Sequence, residues 1–269
     1  MVHWETVIEK LRGRTKDAIR KLKEKGIEIV LCSGRPRCEV ERVSRECNAS
    51  RYIISSNGAA VYDYISKKVI YKNTISKEKC QSLYDIAEHY KCIFSIHQGN
   101  VRIVNQEKYN DETEIVMGPD VMKKAKDVVQ CVIMDKNLEK MKVVRNKILA
   151  IEGIRIINES KCLTNENENS NGTIYCDVVE KNTSKGRAIN VLCNTLGINR
   201  NATIGIGDSY NDIEMLDFVG YSIAMGNSLD NLKQRVNEVT GINDLDGAAE
   251  VFERIIDEKP PFKKKEIFI

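Results

Sequence analysis

The stretch Thr203-Ile-Gly-Ile-Gly-Asp208-Ser-Tyr-Asn211-Asp212 is a short apolar run that ends abruptly in two carboxylates and an amide. In an open α/β sheet, ligands sit in the crevice outside the carboxyl ends of the strands. An aspartate at such an end, with a second one four residues on at the head of a helix, makes an oxygen-rich corner suited to Mg²⁺. A strand followed by an aspartate helix cap has the same residues, so the reading depends on what surrounds the stretch.

Working outward, the chain of 269 residues is long enough for a well-buried core and two domains. The formal charge is only +3, with acids and bases mixed along the chain, so no basic face points to nucleic acid as a partner. Nine cysteines are scattered singly without a Cys-x-x-Cys pair, which favours reduced thiols over a disulfide framework or a zinc site. Neither a membrane-length apolar run nor the apolar core of a signal peptide is present, so the expected compartment is the cytoplasm, with no membrane partner.

Upstream, Arg14–Lys25 has the periodicity of a helix, with Ala18, Ile19 and Leu22 on one face and Gly26 placed to end it. Ile27–Cys32 reads as a buried strand, ending in Ser33-Gly34-Arg35-Pro36. A hydroxyl and an unshielded backbone N–H at a strand end suit a phosphate, and a plain strand-to-helix turn uses the same residues. A helix over Glu39–Cys47, a strand over Tyr52–Ser55, the turn Ser56-Asn57-Gly58 and a hairpin over 60–72 follow. Alternating helix and strand predicts a doubly wound, Rossmann-like parallel sheet.

Residues 75–180 change character and read as an inserted α+β domain, separating a core made of 1–74 and 181–269. Helices are predicted over Lys77–Tyr90, Met122–Val128 and Leu138–Leu149, with strands at Val129–Met134 and Ile154–Ile157. Asn165–Gly172 is a polar, low-complexity loop. His89 and His97 lack a second ligand at metal spacing and read as surface or packing residues. The α/β pattern resumes at Ser184-Lys185-Gly186, where a lysine opening a helix can offer its ammonium to a phosphate. A helix over Asn211–Phe218, a strand over Tyr221–Ala224 and a last helix over Ala248–Ile256 complete the chain.

Taken in order, Ser33-Gly34-Arg35-Pro36, Ser56-Asn57-Gly58, Ser184-Lys185-Gly186, Gly207-Asp208-Ser-Tyr-Asn211-Asp212, Ala224-Met-Gly-Asn227 and Asn243-Asp-Leu-Asp-Gly247 resemble the haloacid-dehalogenase (HAD) superfamily phosphatases. Within them the likeness is to the Cof-like subgroup with a class II, type B cap, and it spans residues 11–257. The resemblance implies Mg²⁺-dependent hydrolysis of small phosphorylated metabolites such as sugar phosphates, through a phosphoaspartyl intermediate. It implies that Ser33, Gly34, Arg35, Asn57 and Asn211 contact phosphate or substrate. Lys185 would neutralise charge in catalysis, Asp208 would hold Mg²⁺, and Asp212 would orient that corner. The family's cap selects the substrate; no code for it, nor for oligomeric state, is readable here.

One part of the pattern is missing. The family nucleophile is the first aspartate of Asp-x-Asp-Gly-Thr at the end of the first, central strand, and these 269 residues contain no such motif. Met1–Lys10 has no aspartate, and its carboxylates Glu5 and Glu9 do not follow a strand. The expectation is a weakened Mg²⁺ site and a chain that, as written, does not turn over phosphate esters. Three accounts fit: an N-terminally truncated phosphatase, a pseudoenzyme that binds phospho-ligands or serves as a scaffold, or a chain in which Lys263-Lys-Lys-Glu-Ile-Phe-Ile269 fills the strand slot. Of the last segment, a loose tail after Pro260-Pro261 is the simpler expectation.

Overall fold

A computed structural model describes residues 13–106, 114–116, 118–163, 172–258 and 267–268. The predicted loop over 165–172 lies outside the described residues, apart from Gly172, and so do Glu5 and Glu9. The chain divides into two compact units, one comprising Lys72–Thr183 together with Arg35–Glu39 and the other holding the rest of the described residues.

The chain starts with α1 (Gly13–Glu24), β1 (Leu31–Cys32), α2 (Arg37–Glu46), β2 (Tyr52–Ser55), β3 (Ala60–Asp63) and β4 (Lys68–Lys72), which belong to the core unit except for Arg37–Glu39 and Lys72. The cap unit continues with α3 (Lys77–His89), β5 (Ile93–Gln98), β6 (Val101–Val104), β7 (Glu114–Val116), α4 (Val121–Lys124), β8 (Val128–Asp135), α5 (Leu138–Leu149), β9 (Ile154–Glu159) and β10 (Ile174–Glu180). The chain returns to the core through α6 (Lys185–Leu196), β11 (Thr203–Gly207), α7 (Ile213–Phe218), β12 (Tyr221–Ala224), α8 (Asp230–Lys233), β13 (Glu238–Val239), α9 (Gly247–Ile256) and β14 (Ile267–Phe268).

The core strands form two four-stranded sets, in the orders β1-β2-β3-β4 and β13-β12-β11-β14. The second set is parallel throughout, and in the first β1 and β2 run parallel. Side-chain alternation explains the double winding. Ile29, Ile204 and Ile223 pack with Ala18, Ile19 and Leu22 of α1 and with Val251, Phe252 and Ile255 of α9. Val30 and Ala224, one residue on, enter a different cluster with Ala188, Ile189 and Leu192 of α6 and with Met215 and Leu216 of α7. Successive residues of a strand face opposite sides, so both faces of these strands are apolar and each receives its own helices.

Three expectations need correction. The predicted strand over Ile27–Cys32 is shorter among the described residues: it runs over Leu31–Cys32, with Leu31 opposite Ile53 and Cys32 opposite Ile54, preceded by a single bridge at Ile29. The helix predicted to Val128 ends at Lys124, and Val128 starts β8. The tail is not simply loose: Ile267 and Phe268 run parallel to β11, opposite Thr203 and Ile204.

The cap sheet has the order β7-β6-β5-β8-β10-β9. One face carries Phe94, Ile96, Ile103, Cys131, Ile133 and Val178, which pack against Leu83 of α3 and Met141, Val144 and Ile148 of α5. Several intervening positions are polar, among them the buried Ser95, His97, Gln130 and Asp177, beside the apolar Val132 and Val179. His97 is a packed, neutral imidazole: burial first, then the Arg102 charge, holds its pKa well below the usual value.

Candidate active site

The site forms where β1, β2 and β11 end. Ser33 follows β1, its N–H donating to the Ile54 carbonyl of β2 at 3.0 Å, while its own carbonyl accepts from the Asn57 N–H at 3.0 Å. This pair of bonds ties the Ser33-Gly34 turn to the Ser56-Asn57-Gly58 turn. Ser56 and Asn57 both take left-handed backbone angles, φ 50° and 57°, a conformation asparagine tolerates better than most residues. Asn57 is fully buried, and its Oδ1 accepts from Asn211 Nδ2 at 2.8 Å. One chain of contacts therefore joins Ser33, Asn57 and Asn211.

Lys185 is the first residue of α6, capped by the Ser184 side chain, which accepts from the Arg187 N–H at 3.1 Å. Its ammonium donates to Asp212 Oδ1 at 2.6 Å, with both side chains under a tenth exposed. The other Asp212 oxygen accepts the N–H groups of Asp208 and Ser209, each at 3.0 Å. Asp212 thus folds the 208–212 turn around its carboxylate, and the Ser209 hydroxyl donates to Asp208 at 3.2 Å.

Electrostatics follow from this packing. Burial alone would lower the Lys185 pKa, but the Asp212 charge, followed by smaller contributions that include Cys32 and Asp208, raises it above the ordinary value. The lysine is a permanent cation at neutral pH. Cys32, the last residue of β1, is pushed up to about 12 by burial, which the Lys185 charge only partly opposes; it stays a thiol. Asp208 is open to solvent by surface area. Its carboxyl is nonetheless raised, first by the surrounding protein and then by the Asp212 charge, against the opposing pull of Lys185.

A folded pKa above the unfolded value of about 3.9 favours the acid form in the fold. The stability this gives is fully present below that pH and is lost as pH rises through the folded pKa. At pH 7 an ionised Asp208 therefore costs stability, and Asp208→Asn should raise the urea midpoint there. The gain should vanish near pH 3, where both chains carry a neutral group. A lower midpoint for Asp208→Asn at pH 7 would contradict this electrostatic account.

Of the residues marked in the sequence, Ser33, Gly34, Asn57, Lys185, Asp208, Asn211 and Asp212 all lie in the core unit, connected as described. Arg35 belongs to the other unit, where its guanidinium donates to Glu39 at 2.8 Å. Sequence reasoning placed Gly58 in the turn Ser56-Asn57-Gly58 without giving it a role of its own, and passed over Cys32, which carried no signal beyond its place before Ser33.

The chain matches the family model for haloacid dehalogenase-like hydrolases over residues 8–252. It belongs to that family. A haloacid dehalogenase-like hydrolase from Bacteroides thetaiotaomicron superposes with a TM-score of 0.79 at 25% identity, over 92% of this chain and 93% of the other. A HAD subclass IIB sugar phosphatase shares the fold at 22% identity and a TM-score of 0.72, over 92% and 93% of the two chains. In sequence, the 5-amino-6-(5-phospho-D-ribitylamino)uracil phosphatase YwtE of Bacillus subtilis is 21% identical over 276 residues, covering 95% of this chain and 94% of its own. The HAD core therefore accounts for the parallel sheet, and the inserted domain for the cap. No helix among the described residues is long and apolar enough to cross a membrane.

Whether the corner suits Mg²⁺ can be judged from its donors. Asn211 Oδ1 is buried and has no hydrogen-bond partner among the described residues. A carbonyl oxygen can only accept, so a cation or a hydroxyl donor satisfies it better than a phosphate oxygen does. Asp208 offers an open carboxylate whose charge the surroundings disfavour, which a cation would relieve. No group of three or more His, Cys, Asp or Glu ligands converges among the described residues. Mg²⁺ is commonly held by one or two carboxylates and several waters, so the set fits the ion as a sparse site.

Proposed function

We propose that this protein binds a small phosphorylated metabolite and Mg²⁺ at the carboxyl end of β11, as a phosphomonoesterase site whose attacking aspartate is not among these 269 residues. The observation that carries the reading is the buried Lys185–Asp212 pair at 2.6 Å beside the open Asp208. A buried cation locked in place, next to a carboxylate and an unpartnered acceptor, is the preorganised charge that phosphoryl chemistry uses. Asp208 and the Asn211 oxygen would hold Mg²⁺, which when bound supplies charge neutralisation at a phosphoryl oxygen. Lys185 keeps its proton and offsets phosphate charge, and the hydroxyl and backbone of Ser33-Gly34 serve phosphate oxygens. Asp212 orients Lys185 and closes the 208–212 turn. Arg35 is proposed as a substrate contact. A sugar phosphate is the kind of substrate that fits, in a cytoplasmic setting, without nucleic acid or membrane.

Without the nucleophile, binding outlives turnover; removing it from other covalent enzymes costs on the order of 10⁶ in rate. The test is calorimetry with inorganic phosphate, with and without Mg²⁺, beside an assay of p-nitrophenyl phosphate. The expected result is phosphate binding that Mg²⁺ strengthens and that Asp208→Asn weakens at least about tenfold (1.4 kcal/mol), with no hydrolysis. Hydrolysis abolished by Asp208→Ala would show that an attacking carboxylate is present and overturn the inert reading. Absence of phosphate binding would overturn the site.

A further inference from the structure

Cys80, Cys92, Cys131, Cys162 and Cys176 are all buried in the apolar core of the cap unit, and two of them touch. The Cys80 and Cys131 sulfurs stand 4.0 Å apart, in residues that are 1% and 0% exposed. They come from different layers. Cys80 lies in the first turn of α3, where its N–H donates to the Ser76 carbonyl at 2.9 Å. Cys131 is in the middle of β8, opposite Ile96 of β5 on one side and Val178 of β10 on the other. Both backbones are held by regular hydrogen bonding, so the two sulfurs stay neighbours. The Cys131 S–H donates toward Cys80, and a position near a helix N-terminus also favours a thiolate. The Cys80 pKa is accordingly lowered, chiefly by that bond and against burial. Burial and then the same bond raise the pKa of Cys131. Cys92, in the same core, instead donates its S–H to the Tyr90 carbonyl at 3.8 Å.

We propose that Cys80 and Cys131 are an oxidation site, closed to a disulfide inside the cap by a hydroperoxide and reopened by a dithiol. Closure brings the sulfurs from 4.0 Å to about 2.05 Å, a move that side-chain rotation in two short residues can supply. The Cys80 thiolate attacks one peroxide oxygen, the O–O bond breaks, and hydroxide leaves with the electron pair and takes up the proton that Cys80 released. Cys80 is then a sulfenic acid. The Cys131 sulfur attacks the Cys80 sulfur, its proton joins the departing hydroxide, and water leaves. In sum two thiols lose two electrons and one peroxide becomes two waters. The new bond encloses 51 positions of chain and ties the α3 layer to an inner strand of the cap sheet. Cross-linking a loop of that size removes conformations from the opened chain, so the oxidised cap opens less often. A buried pair is reached through local opening, which admits a peroxide scarcely larger than water before it admits a bulky reagent. None of this rests on the phosphatase reading.

The test uses the full chain. N-ethylmaleimide first blocks the thiols accessible in the folded protein, and hydrogen peroxide is then added. The chain is unfolded in guanidinium with iodoacetamide, digested without reductant and mapped by mass spectrometry. The expected result is one major linked peptide pair, containing Cys80 and Cys131, that dithiothreitol separates. Amide exchange in α3 and β8 should be at least tenfold slower in the oxidised chain, with β11 and β12 of the core unchanged, and should recover on reduction. Recovery of both cysteines as iodoacetamide-labelled thiols, or linkage of either to Cys92, Cys162 or Cys176, overturns the site. So does N-ethylmaleimide on Cys80 or Cys131 in the folded chain, which would show that the pair is not enclosed. Unchanged exchange in the oxidised chain overturns the cross-link between layers. The order of attack is read separately, by trapping sulfenic acid with dimedone after unfolding. Cys131→Ala should carry at least fivefold more of it on Cys80 than Cys80→Ala carries on Cys131, and the reverse ratio overturns Cys80 as the attacking thiol. If either variant precipitates, the wild-type peptide map decides the proposal without it.

Discussion

Lys185→Met is expected to lower the free energy of unfolding by about 3–5 kcal/mol, the cost of breaking a buried ion pair by removing one partner. The methionine matches the lysine stem in length and keeps its packing, so the loss reports the charge. What it leaves behind is the Asp212 carboxylate, under a tenth exposed and still accepting two backbone N–H groups. Those two bonds soften the loss but cannot replace a cation at 2.6 Å. The raised Lys185 pKa gives the same pair a pH signature. Its contribution is complete below the unfolded lysine value of about 10.4 and fades as pH climbs through the folded one. Urea midpoints should therefore separate wild type from Lys185→Met throughout neutral pH and converge in strong alkali. Phosphate binding should disappear with the charge. Equal midpoints at pH 7 would mean that the pair contributes nothing net, and the site would lose its fixed cation.

The parts of this site that were readable in the sequence are those whose chemistry is local. Asp208 and Asp212 are four residues apart on a strand-to-helix turn, and such spacing determines that one can cap the turn while the other faces the crevice. Ser184 three residues before Arg187 is a helix cap on the same grounds. What could not be read depends on contacts between distant segments. Asn57 meets Asn211 across 154 residues, and which amide atom is left without a partner is decided only when the two turns come together. Cys32 looks like one more apolar strand residue until burial beside Lys185 raises its thiol. β14 is two residues long, and nothing in Ile267-Phe268 names the edge it joins; the demand comes from β11, more than sixty residues away. Filling of the strand slot by Lys263–Ile269 stood among the three accounts, and the pairing of Ile267 and Phe268 with Thr203 and Ile204 favours it over a loose tail.

The same dependence on distant contacts makes Gly58→Ala the second large effect. Gly58 sits at φ +90°, where a Cβ is strained by about 1–2 kcal/mol. A Cβ there would also stand 2.3 Å from the Ser184 carbonyl oxygen and 2.7 Å from the Lys185 N–H nitrogen. Backbone cannot swing aside as a flexible side chain can, so the turn and the start of α6 must part, adding an overpacking cost of about 1–3 kcal/mol. Together these predict a loss of about 2–5 kcal/mol in urea unfolding. Gly197→Ala separates the two causes, because Gly197 also has positive φ (67°) but open space where its Cβ would go. That variant should lose only about 1 kcal/mol, in keeping with strain alone. The functional consequence is the sharper test. Parting the turn from α6 moves Lys185 relative to Asn57, so Gly58→Ala should weaken phosphate binding while Gly197→Ala leaves it intact. Equal losses in the two variants would show that Gly58 is present for its backbone angle only, and that the contact between its turn and α6 does not position the lysine.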